Sequence, residues 1–243
     1  MQKQRKPWFR AFKRFMKLFK KETEFVYLGE KINAPAVILS NHVGTSAPLS
    51  FELYLQEPLR FWGAHEMNDG LVALYQYQTQ VYYHEKKGWN IHLARLFCLI
   101  ASPLTNLFYR GLNLISTYRD IRFRHTLRES YEAVSQGQNI VIFPEISDKG
   151  YLDHLEGFYE GFVSLLKYCY KQGLDLPVYA TYYHKATHVH MIDTPVRYSE
   201  LVKNGMTQAE IAQYFCDRCN RLGERCEIRA HEKEEKKKIK HTA

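Results

Sequence analysis

The amino-acid sequence predicts an α/β fold: a central, mostly parallel sheet flanked by helices, with an amphipathic helix at the N-terminus. Short apolar runs at 35–39 and 139–143 have the composition of strands that are buried on both faces. These runs alternate with segments of helical periodicity, the pattern of chains that build a parallel sheet. The 243 residues, 45% of them hydrophobic, suffice for one core.

The first 21 residues contain nine Lys and Arg and no acidic residue. Between Pro7 and Lys21 the aromatic side chains fall on one helical face and the bases on the other. This pattern is typical of a helix that lies on an anionic membrane surface. The same apolar face could instead dock on the body of the protein.

The strand predicted at 35–39 leads into Asn41-His42 and a turn of small residues. Ser46 has the chemistry of an N-cap for a helix over about 47–55. His42 therefore follows the carboxyl end of a strand and precedes a helix, where open α/β sheets bind ligands. An imidazole there can take a proton from a hydroxyl group. The alternative is a loop histidine that only bonds a backbone carbonyl.

Further along, the patterns predict a strand over 60–64 and a tyrosine-rich helix over 71–83. The most apolar stretch, 96–109, lies between Arg95 and Arg110. Its length predicts a buried or interfacial helix rather than one that spans a membrane. It could also line a slot for an acyl chain.

In the second half, strands and helices continue to alternate. Strands are expected at 112–117, 139–143, 176–183 and 188–192, and helices at 121–135 and 158–170. Thr207 and Glu210 form a capping box for a further helix that Gly223 is expected to end.

The net charge of +8 comes from the two ends of the chain. We expect a basic membrane-surface helix over 1–21, one domain over 22–228 and a charged, disordered tail over 229–243. The body has a slight excess of acidic residues, which argues against a nucleic-acid groove.

Five cysteines and no secretory signal favour reduced thiols in the cytosol. Cys216, Cys219, Cys226 and His231 could be read as a zinc site, but helical periodicity places Cys219 in a core, so no metal is expected. His184, His188 and His190 cluster without a completing ligand and are interpreted as surface residues.

Three strand ends, Asn41-His42, Tyr118-Arg119 and Phe143-Pro144-Glu145, resemble the ordered motifs of the glycerolipid acyltransferase superfamily, the lysophosphatidic acid (1-acylglycerol-3-phosphate) acyltransferases. The resemblance covers about residues 24–222. Leu176-Pro177-Val178 is similar to the fourth motif of that family, and Phe158–Gly161 and Ile192–Pro195 resemble its later landmarks.

The resemblance implies that His42 is the general base that activates an acceptor hydroxyl against an acyl thioester. It implies a substrate-binding role for Asn41, Arg119, Phe143, Pro144, Glu145 and Ser147, with the Arg119 guanidinium pairing with a phosphate. It further implies no cofactor or metal. Acyl-CoA or acyl carrier protein would be the donor and a lysophospholipid the acceptor, in phospholipid biosynthesis or remodelling on the cytoplasmic face of an anionic membrane, to which the protein binds peripherally.

The sequence departs from the family pattern at two places. Ala47 stands where the family has an aspartate five residues after the histidine, and Ile146 replaces the glycine of the third motif. Loss of such an orienting carboxylate costs about 10⁴ in rate in a serine-protease triad. Thr45, Ser46 or Glu66 could orient His42 instead, or the acceptor could be an amine. The alternative function is a lipid-binding, acyltransferase-like protein without turnover.

Overall fold

The computed structural model describes residues 5–146, 150 and 152–242. Among them is one eight-stranded sheet with helices on both faces. The strands are β1 (Glu24–Tyr27), β2 (Val37–Ser40), β3 (Leu59–Ala64), β4 (Ile115–Thr117), β5 (Asn139–Ile142), β6 (Pro177–His184), β7 (Val189–Ile192) and β8 (Val196–Arg197). The helices are α1 (Pro7–Phe19), α2 (Ser46–Tyr54), α3 (Leu71–Tyr77), α4 (Ile91–Leu112), α5 (Phe123–Ser135), α6 (Gly161–Lys171), α7 (Tyr198–Lys203) and α8 (Gln208–Thr242), with a 3₁₀ turn at His65–Met67 and a π-helix at Gln78–Lys86.

The sheet order is β1-β7-β6-β2-β5-β3-β4, and β8 pairs with β6. The five strands β6, β2, β5, β3 and β4 form one parallel run, and β1 pairs with β7 in parallel. Strand β6 pairs with β7 and β8 in antiparallel fashion. The predicted α/β class with a mostly parallel central sheet and an N-terminal helix is therefore confirmed.

The strand β2 lies near the middle of the sheet and is buried along its whole length. Val37 and Leu39 pack into the core on one face, and Ile38 packs into the core on the other. Side chains of a strand alternate between faces, so a run of apolar residues fills both cores at once. This is why the uninterrupted apolar run at 35–39 predicts a central strand.

Helix α1 docks on the body through its N-terminal half. Phe9 is completely buried against Phe108, with ring centroids 5.8 Å apart, and it fills the space that a side chain at Gly111 would need. The buried carboxylate of Glu52 in α2 accepts ion pairs from Arg5 at 2.7 Å and Lys13 at 2.9 Å. Lys13 of α1 and Arg5, just before the helix, therefore hold α1 to the body.

The C-terminal half of α1 keeps apolar side chains exposed, namely Phe15 at 56%, Leu18 at 79% and Phe19 at 70%. Docking, which the sequence left open, thus accounts for one half of the helix and leaves the other half facing outward. Membrane contact by this second half stays a prediction.

Helix α4 differs from the prediction for 96–109 in length and in exposure. It runs for 22 residues from Ile91 to Leu112, continuing through Pro103, and so takes up Leu112, which was expected to begin a strand. Within the described residues, α4 is the one helix long and apolar enough to cross a membrane by length and composition, which corrects the expectation that no segment reaches that length. Arg95 does not bound this helix, which begins four residues earlier at Ile91.

Helix α8 continues past both features that were expected to end it. Gly223 lies inside the helix, where an added Cβ would come within 3.0 Å of the Tyr182 ring. Close packing on β6, rather than a helix stop, explains this glycine. The helix also continues to Thr242 through the segment predicted to be disordered; Arg229 pairs with Glu24 at 2.7 Å, and Lys233 does so at 3.6 Å. The capping box at Thr207 and Glu210 is confirmed.

Candidate active site

Three of the predicted site residues lie at one edge of the sheet. His42 follows β2, Glu145 follows β5 and Arg119 follows β4, and these strands belong to one parallel run in the order β2-β5-β3-β4. Parallel strands place their carboxyl ends at the same edge, which is where ligands bind in open α/β sheets. The architecture therefore gathers motifs that are far apart in sequence.

The closest link between the motifs joins His42 to Glu145. The His42 backbone N–H donates to Glu145 Oε2 at 3.0 Å, and the Leu152 N–H donates to Glu145 Oε1 at 3.3 Å. Glu145 is 5% exposed, and burial raises the pKa of its carboxyl. The Glu145 carboxylate thus holds the backbone of His42, the candidate base, in place.

The His42 ring packs beside the Phe143 ring, with centroids 4.9 Å apart. Burial lowers the pKa of His42 to about 4, and hydrogen bonds with the backbone of His42 itself and of Gly44 act in the opposite direction. The imidazole is therefore neutral at physiological pH. A neutral imidazole is the form that can accept a proton.

The turn after His42 depends on Gly44, whose φ of +60° lies in the left-handed region that glycine adopts without strain. Helix α2 follows, with Thr45 rather than Ser46 at its N-cap and without a side-chain cap from that residue. Ala47, at the family's aspartate position, is completely buried. Thr45, Ser46 and Glu66 are the residues that could orient the His42 ring in place of the aspartate. The carboxylate of Glu66 lies 3.5 Å from the His65 ring.

Asn41 fastens two strands together. Its side-chain oxygen accepts the Tyr183 N–H at 2.7 Å, and its side-chain nitrogen donates to the Tyr183 carbonyl at 3.2 Å. The Pro144 carbonyl accepts the Tyr159 N–H at 2.8 Å. Direct substrate contact by Asn41, Phe143 and Pro144 stays a prediction, and Ser147 lies outside the described residues.

Arg119 is exposed, with its guanidinium carbon 6.0 Å from the centre of the Tyr159 ring. It lies at the same edge as His42 but three strands away, which at the usual strand spacing is about 14 Å between backbones. The long side chain can cover only part of that distance, so an anionic group held by Arg119 would lie at the outer end of a site centred on His42.

Lys86, at the end of the π-helix, is a further cation at this site that sequence reasoning missed. Its positive charge lowers the pKa of both His42 and Glu145. Lys86 belongs to a run of charged residues at the end of a predicted helix, and no motif distinguishes it from Lys87. Only the folding of the π-helix towards the strand ends reveals its position.

His190 is the second buried histidine of this region, which corrects its interpretation as a surface residue. It is 0% exposed, its Nε2 lies 2.6 Å from Ser50 Oγ, and its ring lies 4.1 Å from the Phe51 ring. Since Ser50 donates to the Ala47 carbonyl at 2.7 Å, its oxygen is left to accept from the imidazole. Burial lowers the pKa of His190 to about 3. His184 is also buried, and only His188 is partly exposed.

No group of three or more His, Cys, Asp or Glu side chains suited to a metal ion occurs in the part of the chain that the structure describes. Cys216, Cys219 and Cys226 are buried, and burial raises the pKa of the thiols of Cys216 and Cys226 to about 11. The prediction that Cys219 belongs to the core is confirmed.

The fold and the site together define an α/β protein with a neutral histidine and a buried glutamate at the carboxyl edge of a parallel sheet. No family model matches the sequence, and no curated protein does. Among solved structures, the chain is similar to the crystal structure of the 1-acyl-sn-glycerophosphate (LPA) acyltransferase PlsC from Thermotoga maritima, with 14% identity and a TM-score of 0.48 over 90% of this chain and 89% of that one.

Proposed function

We propose that this protein is an acyltransferase that moves a fatty acyl group from a thioester to a lysophospholipid acceptor. The observation that carries the proposal is the 3.0 Å hydrogen bond from the His42 backbone to Glu145. It joins two motifs separated by 103 residues into one site, in the order and spacing that resemble the glycerolipid acyltransferases. The neutral His42 imidazole supplies the base that such a reaction needs.

In the proposed reaction, the imidazole of His42 takes the proton of the acceptor hydroxyl as its oxygen attacks the thioester carbonyl. The tetrahedral intermediate collapses, the carbon–sulfur bond breaks and an ester forms. The proton on the imidazolium then passes to the departing thiolate, so the histidine returns to its neutral form. Helix α2 begins at Ser46, four residues after His42, and we assign the N–H groups of its first turn to stabilisation of the oxyanion.

The position of Gly44 supports a substitute for the missing aspartate. The backbone polar groups of His42 itself and of Gly44 act on the His42 imidazole, and they raise its pKa against the larger effect of burial. A backbone carbonyl that faces one ring nitrogen favours the tautomer protonated at that nitrogen, so the other nitrogen carries the lone pair that accepts a proton. We infer that the left-handed turn at Gly44 performs the orienting role that a carboxylate at position 47 has in the family.

We assign recognition of the phosphate group of the acceptor to two cationic side chains. Arg119 and Lys86 both lie at the carboxyl edge, and a phosphate ester carries charge for either of them. The donor is acyl-CoA or acyl carrier protein, and no cofactor takes part. The exposed C-terminal half of α1, with its bases, supports peripheral binding to an anionic membrane. We propose the cytoplasmic face as the side of that membrane.

The test is thiol release from acyl-CoA and from acyl carrier protein by the purified chain on anionic vesicles, with a panel of lysophospholipid acceptors. We expect release that requires an acceptor and produces the corresponding diacyl lipid. The variant Gly44→Ala, which places a Cβ on a left-handed residue, should lose most of kcat while KM changes little. Hydrolysis without acceptor dependence would contradict the proposal.

A second function is favoured by one observation, the alanine at position 47. If the chain binds lipid or thioester without turnover, the panel should give no thiol release, while Ala47→Asp should create it. Because Ala47 is completely buried, this variant also needs a folding control by circular dichroism.

A further inference from the structure

The outer face of α4 is more apolar than the face that packs on the protein. The buried residues Ala94, Cys98, Ser102 and Asn106 recur every four positions and are small or polar. The opposite face exposes large apolar side chains, namely Leu93 at 62%, Leu96 at 65%, Phe97 at 45%, Ile100 at 74%, Leu104 at 67% and Leu107 at 51%. A helix at the surface of a water-soluble protein has the reverse arrangement.

Helix α4 packs directly on the docked half of α1. Phe108 of α4 contacts both Phe9 and Phe12 of α1, with ring centroids 5.8 and 6.0 Å apart, so the two helices are neighbours at the surface. Helix α1 carries the bases Arg10, Lys13, Arg14 and Lys17 and no acidic residue, and of these four Lys13 is paired with Glu52. An apolar surface bordered by positive charge complements an anionic bilayer better than it complements a protein partner.

The N-terminal end of α4 carries an aromatic cluster of Tyr83, Trp89 and Phe97, whose ring centroids lie 4.8 to 5.5 Å apart. Trp89 is 40% exposed. Trp and Tyr are enriched where a membrane protein meets the headgroup region of a bilayer. The cluster therefore marks the end of the apolar face that would lie at the level of the headgroups.

Helix α4 is held to the protein along its whole length. The Tyr75 hydroxyl donates to the Arg95 carbonyl at 3.5 Å, Ser102 donates to Gln78 at 2.7 Å, and Phe108 packs on Phe9. A helix that crossed the bilayer would carry the neighbouring π-helix, with Gln78 and the charged residues at its end, into hydrocarbon. The attachment is compatible with a helix that lies flat and inserts one face only.

We propose that the outer face of α4 inserts into the acyl-chain region of one bilayer leaflet and, with α1, forms a monotopic membrane-binding surface. The helix is about 33 Å long, so its face extends well beyond a single anchoring side chain. Helix α4 runs from the neighbourhood of Lys86, at the active-site edge of the sheet, to the start of β4 at the opposite edge of the sheet. This proposal concerns lipid binding alone and does not rest on acyl transfer.

The first experiment compares two triple variants in vesicle co-sedimentation. Leu96→Gln/Ile100→Gln/Leu104→Gln makes the α4 face polar, and Ile121→Gln/Val202→Gln/Ile228→Gln changes three exposed apolar residues elsewhere as a matched control. Phosphatidylcholine/phosphatidylglycerol vesicles in about 0.5 M salt weaken the electrostatic contribution of α1. We expect the wild type and the control to bind and the α4 variant to bind at least about 30-fold more weakly.

The second experiment does not depend on the stability of the triple variant. Ile100→Trp places a fluorophore on the apolar face, and vesicles of lipids brominated on the acyl chains should quench its emission beyond the quenching of the wild-type protein. Absence of added quenching would overturn the proposal. Unchanged vesicle binding by a folded α4 variant would also overturn the proposal. This includes the result that the wild type is a dimer without lipid, the α4 variant is a monomer, and both bind vesicles equally.

Discussion

At the scale of single residues, the site depends on how burial changes the pKa values of two side chains, His42 and Glu145. Burial keeps His42 neutral, and the two backbone N–H groups that face Glu145 hold its carboxylate in place. Neither effect is visible in the sequence, where both residues are simply polar groups after apolar strands. Two properties of His42 can be tested: the protonation state of its imidazole and the position of its backbone.

The pH profile of thiol release tests the protonation state of His42. The free enzyme is active when the imidazole is neutral, so kcat/KM should fall as pH decreases through the lowered pKa of about 4. We expect little change between pH 7 and about 5.5, where a histidine with the ordinary pKa of about 6.5 would already be mostly protonated. An acidic limb at pH 6.5 or above, in protein shown by circular dichroism to be folded, would contradict this assignment.

Glu145→Ala should reduce both stability and activity. Removal of the carboxylate leaves the partly buried N–H groups of His42 and Leu152 without their acceptor, at a cost of about 2 kcal/mol in the free energy of unfolding. Displacement of the His42 backbone should lower kcat by about 100-fold. Urea denaturation and thiol release measure the two effects, with Glu224→Ala on the exposed side of α8 as the control. Full activity in the Glu145 variant would refute the positioning role.

At the scale of the elements, helices α1 and α4 depend on each other. Gly111 of α4 has no room for a side chain because the Phe9 ring of α1 occupies that space. Arg5 and Lys13 add ion pairs to the buried Glu52, and Arg5 also donates to the carbonyls of Leu59 and Leu112. The exposed apolar surface of the two helices thus depends on a direct contact between them.

Gly111→Ala should separate the two helices. The added methyl group overlaps the buried Phe9 ring, and overpacking of this kind costs about 1–3 kcal/mol. In a Phe9→Ala background, the same substitution should cost almost nothing, because the space is then empty. Urea denaturation of the four proteins of this cycle gives the coupling energy. Additive effects of the two substitutions would show that the contact does not hold α1.

At the scale of the whole molecule, two neutral histidines, the half-buried His42 and the completely buried His190, make the stability of the fold dependent on pH. The pKa values of His42 and His190 are about 4 and about 3 in the folded protein, below the ordinary value of 6.5. The unfolded chain therefore binds more protons between pH 6.5 and these values. Stability is lost as the pH falls through that window.

Replacement of His190 by Asn should make this pH dependence shallower. Each such group contributes up to about 1.4 kcal/mol per pH unit, and His190 is completely buried. Glu145, whose pKa is raised, acts in the opposite sense, so the comparison with the wild type isolates the histidine. Urea denaturation between pH 7 and pH 5 gives the slope. Equal slopes in the two proteins would mean that His190 does not titrate as proposed.

Much of the architecture could be predicted from the sequence because apolar runs and helical periodicity are local signals. The strand β2, the position of His42 and the capping box of α8 are examples. The exposed apolar face of α4, the long course of α8 and the burial of His190 could not be predicted, because each depends on which neighbour covers a side chain. Lys86 was missed for the same reason, since only tertiary folding brings it near His42.

The central claim is that His42 is the base of an acyl transfer. The most direct measurement is acceptor-dependent thiol release by His42→Ala, with His125→Ala on the exposed surface of α5 as the matched control. We predict a loss of at least about 10³-fold in kcat for His42→Ala, with vesicle binding and the folded circular dichroism spectrum retained, and wild-type rates for the control. Thiol release by His42→Ala at a rate near that of the wild type would contradict the claim.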